Sequence, residues 1–308
     1  MSRLDIVIVT WNSSDDIRGC LTVLGEPPPI WQVWVVDNGS TDETVAVVRA
    51  EFPWVHVVAN GHNLGFARAN NQVIAQTDSD YVLLLNPDTE LTVETVAAAL
   101  HEIEQMPRAG VLGVQLRNTD RSLQPSCFHF PTPWLSFVES TGLHWLFPRE
   151  WRSRHLLAGY WDHGDTRKVD WIMGAFMLAR REAIKRVGAV PETSFIFGED
   201  MDWCYRMWRG NYEVWFTPAT SIIHHCNRSA GQLPSSWRAE RTHRATYDFC
   251  RVNYGRFAMK FKQVLDVIGY SGRWLRYRWS RTKTGTYRFQ LMDIGLRTAL
   301  REFKRSTG

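Results

Sequence analysis

From Leu4 to Leu116 the chain alternates short apolar, β-branched runs with amphipathic stretches. "LDIVIVT" (Leu4 to Thr10) reads as a strand and leads into a polar, then helical, stretch. "VWVVD" ends a second strand at Asp37; Asn38-Gly39 turns the chain, and Ser40 with Glu43 predicts a capping box ahead of a helix. "WVHVVAN" predicts a third strand, "NGHNLG" a turn and "FARANNQVIAQ" a helix. "YVLLLNPDTE" reads as a fourth strand, nearly all apolar, so that both its faces should be covered. Thr92 to Gln105 reads as a helix and "AGVLGVQL" as a strand. Strands and helices alternating at this spacing predict βαβ units and therefore an α/β, mostly parallel sheet.

The pattern lapses from Thr119 to Lys168, where prolines and aromatics crowd without periodicity. It returns as "VDWIMGAFMLARREAIKRVG", a strand passing into a helix that ends near Gly188. "GEDMDWCYRMWRG" predicts a helix from near Glu199 to near Gly210, followed by strands "YEVWFTP" and "TSIIHH". From Ser235 to the end the pattern is helical. The expected organisation is a sheet domain over 1–232, with 119–168 inserted, and a helical region over 233–308.

Charge sharpens that division. The net charge of +4 is split: from Arg256 to Gly308 there are 13 basic and 3 acidic residues, leaving 23 of the 36 basic and 29 of the 32 acidic residues to the rest. An acidic body with a basic tail is implied. Five scattered cysteines without a C-x-x-C pair argue against a disulfide framework or zinc site and favour a reducing compartment. "MSRLDIVIVTWN" passes directly into a strand pattern, so no secretory leader is expected. The longest apolar run, "WIMGAFMLA", is about half of what a membrane span needs. These features suggest a cytoplasmic protein.

Ligands of open α/β sheets bind beyond the carboxyl ends of the strands. Those ends here are Thr10-Trp11-Asn12, Asp37-Asn38 and Asn86-Pro87-Asp88, polar groups emerging from apolar strands. Asn86 and Asp88 offer hard oxygens of the kind that suits Mg²⁺ or Mn²⁺; Mg²⁺ commonly takes one or two carboxylates and completes its shell with water and phosphate oxygens. Capping of the helix near Thr92 is the plainer role for Asp88. His224 and His225 close a late strand, where one of the pair can face a metal while the other packs. Glu199, Asp200 and Asp202 open a predicted helix, where the dipole favours acids by about 0.3–1 kcal/mol each. Glu199 and Asp202 would share a helix face, with Asp200 pointing elsewhere. Phe195, Phe197, Trp203, Tyr205 and Trp208 suggest an aromatic wall shielding a carboxylate general base and stacking on sugars. A metal-held diphosphate leaving group opposite such a base describes group transfer from an activated donor.

"IVIVTWN", "VVDNGSTD", "NLGFARANN", "LLLNPDTE", "GAFMLARREA" and "FGEDMDWCYRMWRGN" follow one another in the order seen in family 2 glycosyltransferases, and the chain resembles their rhamnosyltransferase-like subgroup from about Leu4 to Ser229. The resemblance implies a GT-A fold, a Rossmann-like nucleotide-binding sheet with helices on both faces, here with a helical C-terminal extension. It implies inversion at the anomeric carbon and a nucleotide-sugar donor, dTDP-rhamnose first and UDP-sugars second. By position, Thr10, Trp11, Asn12, Asp37, Arg68 and Asn86 would serve the nucleotide. Asp88 and His224 would hold Mg²⁺ or Mn²⁺, Asp200 would be the catalytic base, and Glu199 and Trp171 would contact the acceptor. Asn86 departs from the family's frequent Asp-x-Asp, although Asn-Pro-Asp is similar to the rhamnosyltransferase-like form. The implied acceptor is a glycan or lipid-linked glycan of the cell surface.

"GRWLRYRWSRTKTGTYRF" interleaves basic and aromatic residues, which suits either peripheral contact with an anionic membrane on the cytoplasmic side or a solvated helical face. Nucleic-acid binding is not expected, given the acidic body and lack of a recognition motif. Tryptophans within Pro133 to Trp161 suit an acceptor lid, a homo-oligomer contact or ordinary packing. Two rival functions remain at this stage. A sugar-1-phosphate nucleotidylyltransferase should carry a Gly-rich basic loop where "TWNSSDDIRGC" stands. A non-catalytic nucleotide-sugar or glycan-binding protein would not need Asp200 together with Asp88.

Overall fold

A computed structural model of the chain describes residues 2–192, 198–225, 235–279 and 283–307. The chain divides into two compact units, Met1–His129 with Leu157–Gln232, and Phe130–Leu156 with Leu233–Gly308. Residues 130–156, from within the aperiodic stretch, thus group with the C-terminal helices.

The first unit is α/β. Its elements in chain order are β1 (Leu4–Thr10), α1 (Ser14–Leu24), β2 (Trp31–Asp37), α2 (Thr44–Glu51), β3 (Val55–Ala59), α3 (Phe66–Gln76), β4 (Tyr81–Leu85), β5 (Thr89–Glu90), α4 (Val93–Glu104), β6 (Ala109–Arg117), β7 (Leu123–Gln124) and β8 (Cys127–Phe128). After the excursion come β9 (Arg167–Lys168), β10 (Trp171–Ile172), β11 (Phe176–Arg180), α7 (Arg181–Val187), α8 (Glu199–Arg209) and β12 (Glu213–His224). The main sheet runs β3-β2-β1-β4-β11-β6-β12-β5. β1 pairs in parallel with β2 and β4, β2 with β3, and β6 with β12, whereas β11 is antiparallel to β4 and β6.

Alternation along the strands serves two faces. Leu4, Ile6, Ile8, Val33, Val35, Leu83 and Leu85 join one buried cluster with apolar residues of α1, α2 and α4. Val7, Val36, Val82 and Leu84 are equally buried but turn the other way, and α3 packs beside β1 and β2. β4 is buried throughout, as its apolarity predicted, but it ends at Leu85 rather than running on to Glu90, and Thr89–Glu90 pairs separately as β5.

Three local expectations are corrected. The capping box does not form: α2 starts at Thr44, and Ser40 donates its hydroxyl to Asp37, while Asp42 accepts the Thr44 amide at 3.1 Å. The strands "YEVWFTP" and "TSIIHH" are one strand, β12, with a register shift between Thr217 and Ser221 that absorbs Pro218 at the sheet. The single strand expected in "VDWIMGAFMLA" is two, β10 and β11; β10 instead pairs with β8 in a separate ribbon.

The second unit is helical: α5 (Pro133–Thr141), α6 (Arg149–His155), α9 (Ser235–Tyr277) and α10 (Lys283–Thr307). Gly255, at φ 89°, breaks α9 into two arms. Tyr247 donates its hydroxyl to Asp266 at 2.9 Å across that break, and Lys262 approaches Asp266 at 3.2 Å. None of the helices among the described residues is long and apolar enough to cross a membrane.

Candidate active site

The C-terminal ends of β1, β2 and β4 lie along one edge of the sheet, where Thr10 pairs with Asp37. Asp37 is nearly fully buried. Its carboxylate accepts the Thr10 hydroxyl at 3.1 Å, the Gly39 and Ser40 amides at 3.1 and 2.9 Å, and the Ser40 hydroxyl. The turn after it needs glycine: Gly39 has φ +75°, and a Cβ there would meet the His62 backbone at 2.8 Å. Asn12 follows β1 in the left-handed region, at φ 48°. It is tied across to the same turn by Thr41 N–H donating to its Oδ1 at 2.8 Å. Trp11 is half-buried beside it. Arg68 stands on the first turn of α3, exposed, with its guanidinium on Glu192 at 3.0 Å.

Asn86-Pro87-Asp88 leaves β4 at the same edge. His224, at the end of β12, pairs with Thr89 and brings its Nε2 to 3.3 Å from Asp88 Oδ1 and 3.4 Å from Asn86 Nδ2. Both Asp88 and His224 are buried. His225, one residue on, points to the other side, between Glu90 at 2.7 Å and Thr119 at 3.0 Å. Asp88 does not cap the next helix, because Thr92 fills that role by accepting the Thr95 amide at 3.4 Å.

Gln124 fixes the imidazole. Its amide nitrogen donates to Asn118 Oδ1 at 2.8 Å and to the His224 carbonyl at 3.3 Å, so its Oε1 accepts from His224 Nδ1 at 2.7 Å. In the Nδ1–H tautomer Nε2, on the side of Asp88, carries the lone pair that a metal would need. One imidazole nitrogen and one carboxylate oxygen therefore converge, a donor set that suits Mn²⁺ or Mg²⁺ when phosphate oxygens fill the remaining positions. No three His, Cys, Asp or Glu side chains gather into a metal-holding group among the described residues.

Asp200 lies in the first turn of α8. Its carboxylate accepts the Met201 amide at 2.8 Å and the Gly174 amide at 3.2 Å. Burial outweighs these bonds and raises its pKa from 3.8 to about 6. The Gly174 bond also locates it. The next residue, Ala175, accepts the Asn86 amide at 3.1 Å, so Asp200 and the Asn86–Asp88 turn meet at the same sheet edge. Glu199 is buried, and Asp202 pairs along the helix with Arg206 at 3.2 Å.

The expected aromatic wall is corrected in part. Trp203 is fully buried and bonds the Gly188 carbonyl at 3.1 Å, and the Trp208 indole bonds the Asp170 carbonyl at 3.1 Å. Both rings hold α8 in place. Phe195 and Phe197 lie outside the described residues. Trp171 is half-buried, stacked on Phe128 at 4.5 Å, with its indole on the His129 carbonyl at 3.1 Å. Gln124 and Gly174 are the contributors that sequence reasoning missed. Gln124 sits in the aperiodic stretch, and Gly174 acts through a backbone amide that no residue type announces.

The family model for glycosyl transferase family 2 matches residues 5–188, and a model for glycosyltransferase (GlcNAc) matches 138–267. The chain belongs to glycosyltransferase family 2. It is 30% identical over 262 residues to the N-acetylglucosaminyl-diphospho-decaprenol L-rhamnosyltransferase of Mycobacterium tuberculosis, covering 80% of this chain and 83% of that one. Rhamnosyltransferase WbbL of Escherichia coli is 25% identical over 256 residues, covering 78% of this chain and 90% of its own length. Among solved structures, a mannosyltransferase from Pyrobaculum calidifontis in complex with GDP-Man and Mn²⁺ superposes with a TM-score of 0.59 at 15% identity, over 98% of this chain and 87% of that one. The fold is GT-A, and the chain is a glycosyltransferase of rhamnosyltransferase-like sequence.

Proposed function

We propose that the chain is a metal-dependent, inverting glycosyltransferase that moves a sugar, rhamnose first, from a nucleoside-diphosphate donor to a hydroxyl of a lipid-linked glycan in cell-surface polysaccharide synthesis. The reading rests on one observation: a carboxylate with a raised pKa and the Asp88–His224 pair share one sheet edge, joined through Gly174, Ala175 and Asn86. Relatives named for rhamnose transfer and for a diphospho-decaprenol acceptor support the donor and acceptor classes.

In this reading Thr10, Trp11, Asn12, Asp37, Arg68 and Asn86 line the nucleotide's side of the cleft. Arg68 would exchange Glu192 for the donor's phosphates. Asp88 and His224 would hold Mn²⁺ or Mg²⁺, which supplies positive charge against the departing diphosphate. Asp200 takes the proton of the acceptor hydroxyl as that oxygen attacks the anomeric carbon from the face opposite the diphosphate. Its raised pKa keeps it a competent base near neutral pH. Glu199 and Trp171 orient the acceptor. A lipid-borne acceptor places the work at a membrane surface, to which the chain would attach peripherally from the cytoplasmic side.

The test is transfer from dTDP-rhamnose, UDP-sugars and GDP-sugars to a polyprenyl-diphosphate glycan, with and without Mn²⁺ or Mg²⁺. Product of inverted anomeric configuration, lost with chelator and with Asp200→Asn, is expected. Metal-independent transfer, or retained configuration, would overturn the mechanism.

A further inference from the structure

The second arm of α9, from Arg256 to Tyr277, carries apolar side chains on a face that its neighbours do not use. Phe257, Phe261, Val264, Ile268 and Leu275 are 85, 37, 41, 55 and 59% exposed. Their spacing of four, three, four and seven places them in one row along the helix, about 27 Å long at 1.5 Å per residue. The opposite side of this arm is occupied. Gly269 lies against Ser140 of α5, where a Cβ would come within 3.0 Å of the Ser140 carbonyl oxygen. Gly295 of α10 lies against the Tyr270 ring, and the Trp274 indole bonds Asp293 at 3.3 Å. Ala258, Met259, Gln263, Leu265 and Asp266 are buried on that inner side.

Charge identifies what covers the row. On the helical wheel Arg256 and Lys260 fall along one border of it, and Arg278 follows the arm's last residue with its amide on the Trp274 carbonyl at 2.9 Å. The acid of this arm, Asp266, is buried on the inner side with Tyr247 and Lys262. Arg278 stacks over Trp274 and Trp279 at 5.0 and 5.3 Å, and Trp279 is 80% exposed. An apolar row with a basic border and an indole at its end is the pattern of a helix lying in a lipid interface. In an antiparallel pairing a second copy of the chain would set this basic border against its like.

We infer that the Phe257–Leu275 face of α9 is an in-plane docking surface for an anionic lipid bilayer. This gives a specific surface to the peripheral attachment proposed above and rests on that reading. It also extends the attachment from the basic-aromatic segment "GRWLRYRWSRTKTGTYRF", which holds Leu275, Arg278 and Trp279, back along the helix to Phe257. The side chains insert to the depth of the acyl boundary, and Arg256, Lys260 and Arg278 meet phosphate headgroups.

The test is co-sedimentation of the full chain with phosphatidylcholine vesicles, with and without phosphatidylglycerol. The wild type is expected to pellet with the anionic vesicles. A Phe257→Ser/Phe261→Ser/Val264→Ser/Ile268→Ser variant should lose at least about tenfold in affinity, since it withdraws four apolar groups from the lipid. Arg256→Glu/Lys260→Glu should bind more weakly and be less sensitive to salt. Circular dichroism checks folding, and Ile268→Lys replaces the quadruple variant if that one fails to fold. Wild-type protein that ignores both vesicles would overturn peripheral attachment as a whole. A wild type that binds while the row variants bind equally would overturn this surface alone. A wild-type dimer that the row variants dissociate would assign the face to a second copy and overturn the lipid. Asp200→Asn should pellet like the wild type, which separates loss of catalysis from loss of docking.

Discussion

Asp200 shows how one position carries opposite demands. Two backbone amides favour its ionised form, yet burial wins and leaves the pKa at about 6. The proposed base would work ionised, so turnover should fall about tenfold per pH unit below 6 and level off above it, a profile read from kcat between pH 4.5 and 8. The same shift bears on stability. Between pH 3.8 and about 6 the folded state holds the proton more tightly than the unfolded chain, so the Asp200 contribution declines as pH rises through that window. Asp200→Asn should cost about 10²–10⁴-fold in kcat with little change in donor affinity. Its Tm relative to wild type should climb between pH 4 and 7, because the variant has no charge to bury. Gln124 acts more quietly. Gln124→Leu removes the acceptor that holds His224 Nδ1–H, and Mn²⁺ affinity in the presence of nucleoside diphosphate should fall about 10–100-fold by electron paramagnetic resonance titration. Asp88 and Asp200 stood out in the sequence as candidates because carboxylates after apolar strands or at a helix mouth need a reason. Gln124 was not, since a neutral amide in an aperiodic stretch gives no such sign.

At the level of elements, legibility followed how strongly one period dominated. β1, β2, β4, α3 and α4 were all anticipated within a few residues, the strands because they are short apolar, β-branched runs and the helices because their apolar positions repeat at three to four. β12 was read as two strands because Pro218 interrupts an otherwise continuous pattern; the register shift lets the strand continue past it. The capping box failed for a different reason. Ser40 has a stronger partner in the Asp37 carboxylate, so a local motif yielded to a contact with the strand end. In the helical unit, pairing depends on a small residue that composition does not flag. Gly295 lets α10 approach Tyr270, and a Cβ there would stand 2.6 Å from the ring. Gly295→Ala should therefore destabilise by about 1–3 kcal/mol in urea denaturation despite its better helix propensity, and Tyr270→Leu in the same chain should recover most of the loss.

For the molecule as a whole, the sheet edge and the helices divide the labour between units with separate cores. Among the described residues, Thr10, Asp37, Asn86, Asp88, Asp200 and His224 all belong to the first unit, and the proposed lipid-facing row belongs to the second. A ligand that binds the folded first unit should stabilise that unit by mass action. A nucleoside-diphosphate sugar at 100 times its Kd adds about 2.7 kcal/mol, which at about 2–4 °C per kcal/mol for a unit of this size is a shift of about 5–10 °C. The shift should require Mn²⁺ or Mg²⁺ and vanish with chelator if, as proposed, Asp88 and His224 hold the cation together with the diphosphate. Asp88→Ala should abolish it, whereas the row variants on α9 should leave it intact. If calorimetry resolves two transitions, the donor should move the one that carries the sheet and leave the helical transition in place. A shift that persists in Asp88→Ala would place the diphosphate elsewhere on the sheet edge and remove the cation from the proposed chemistry. Ranking dTDP-rhamnose, UDP-sugars and GDP-sugars by the size of this shift then identifies the donor.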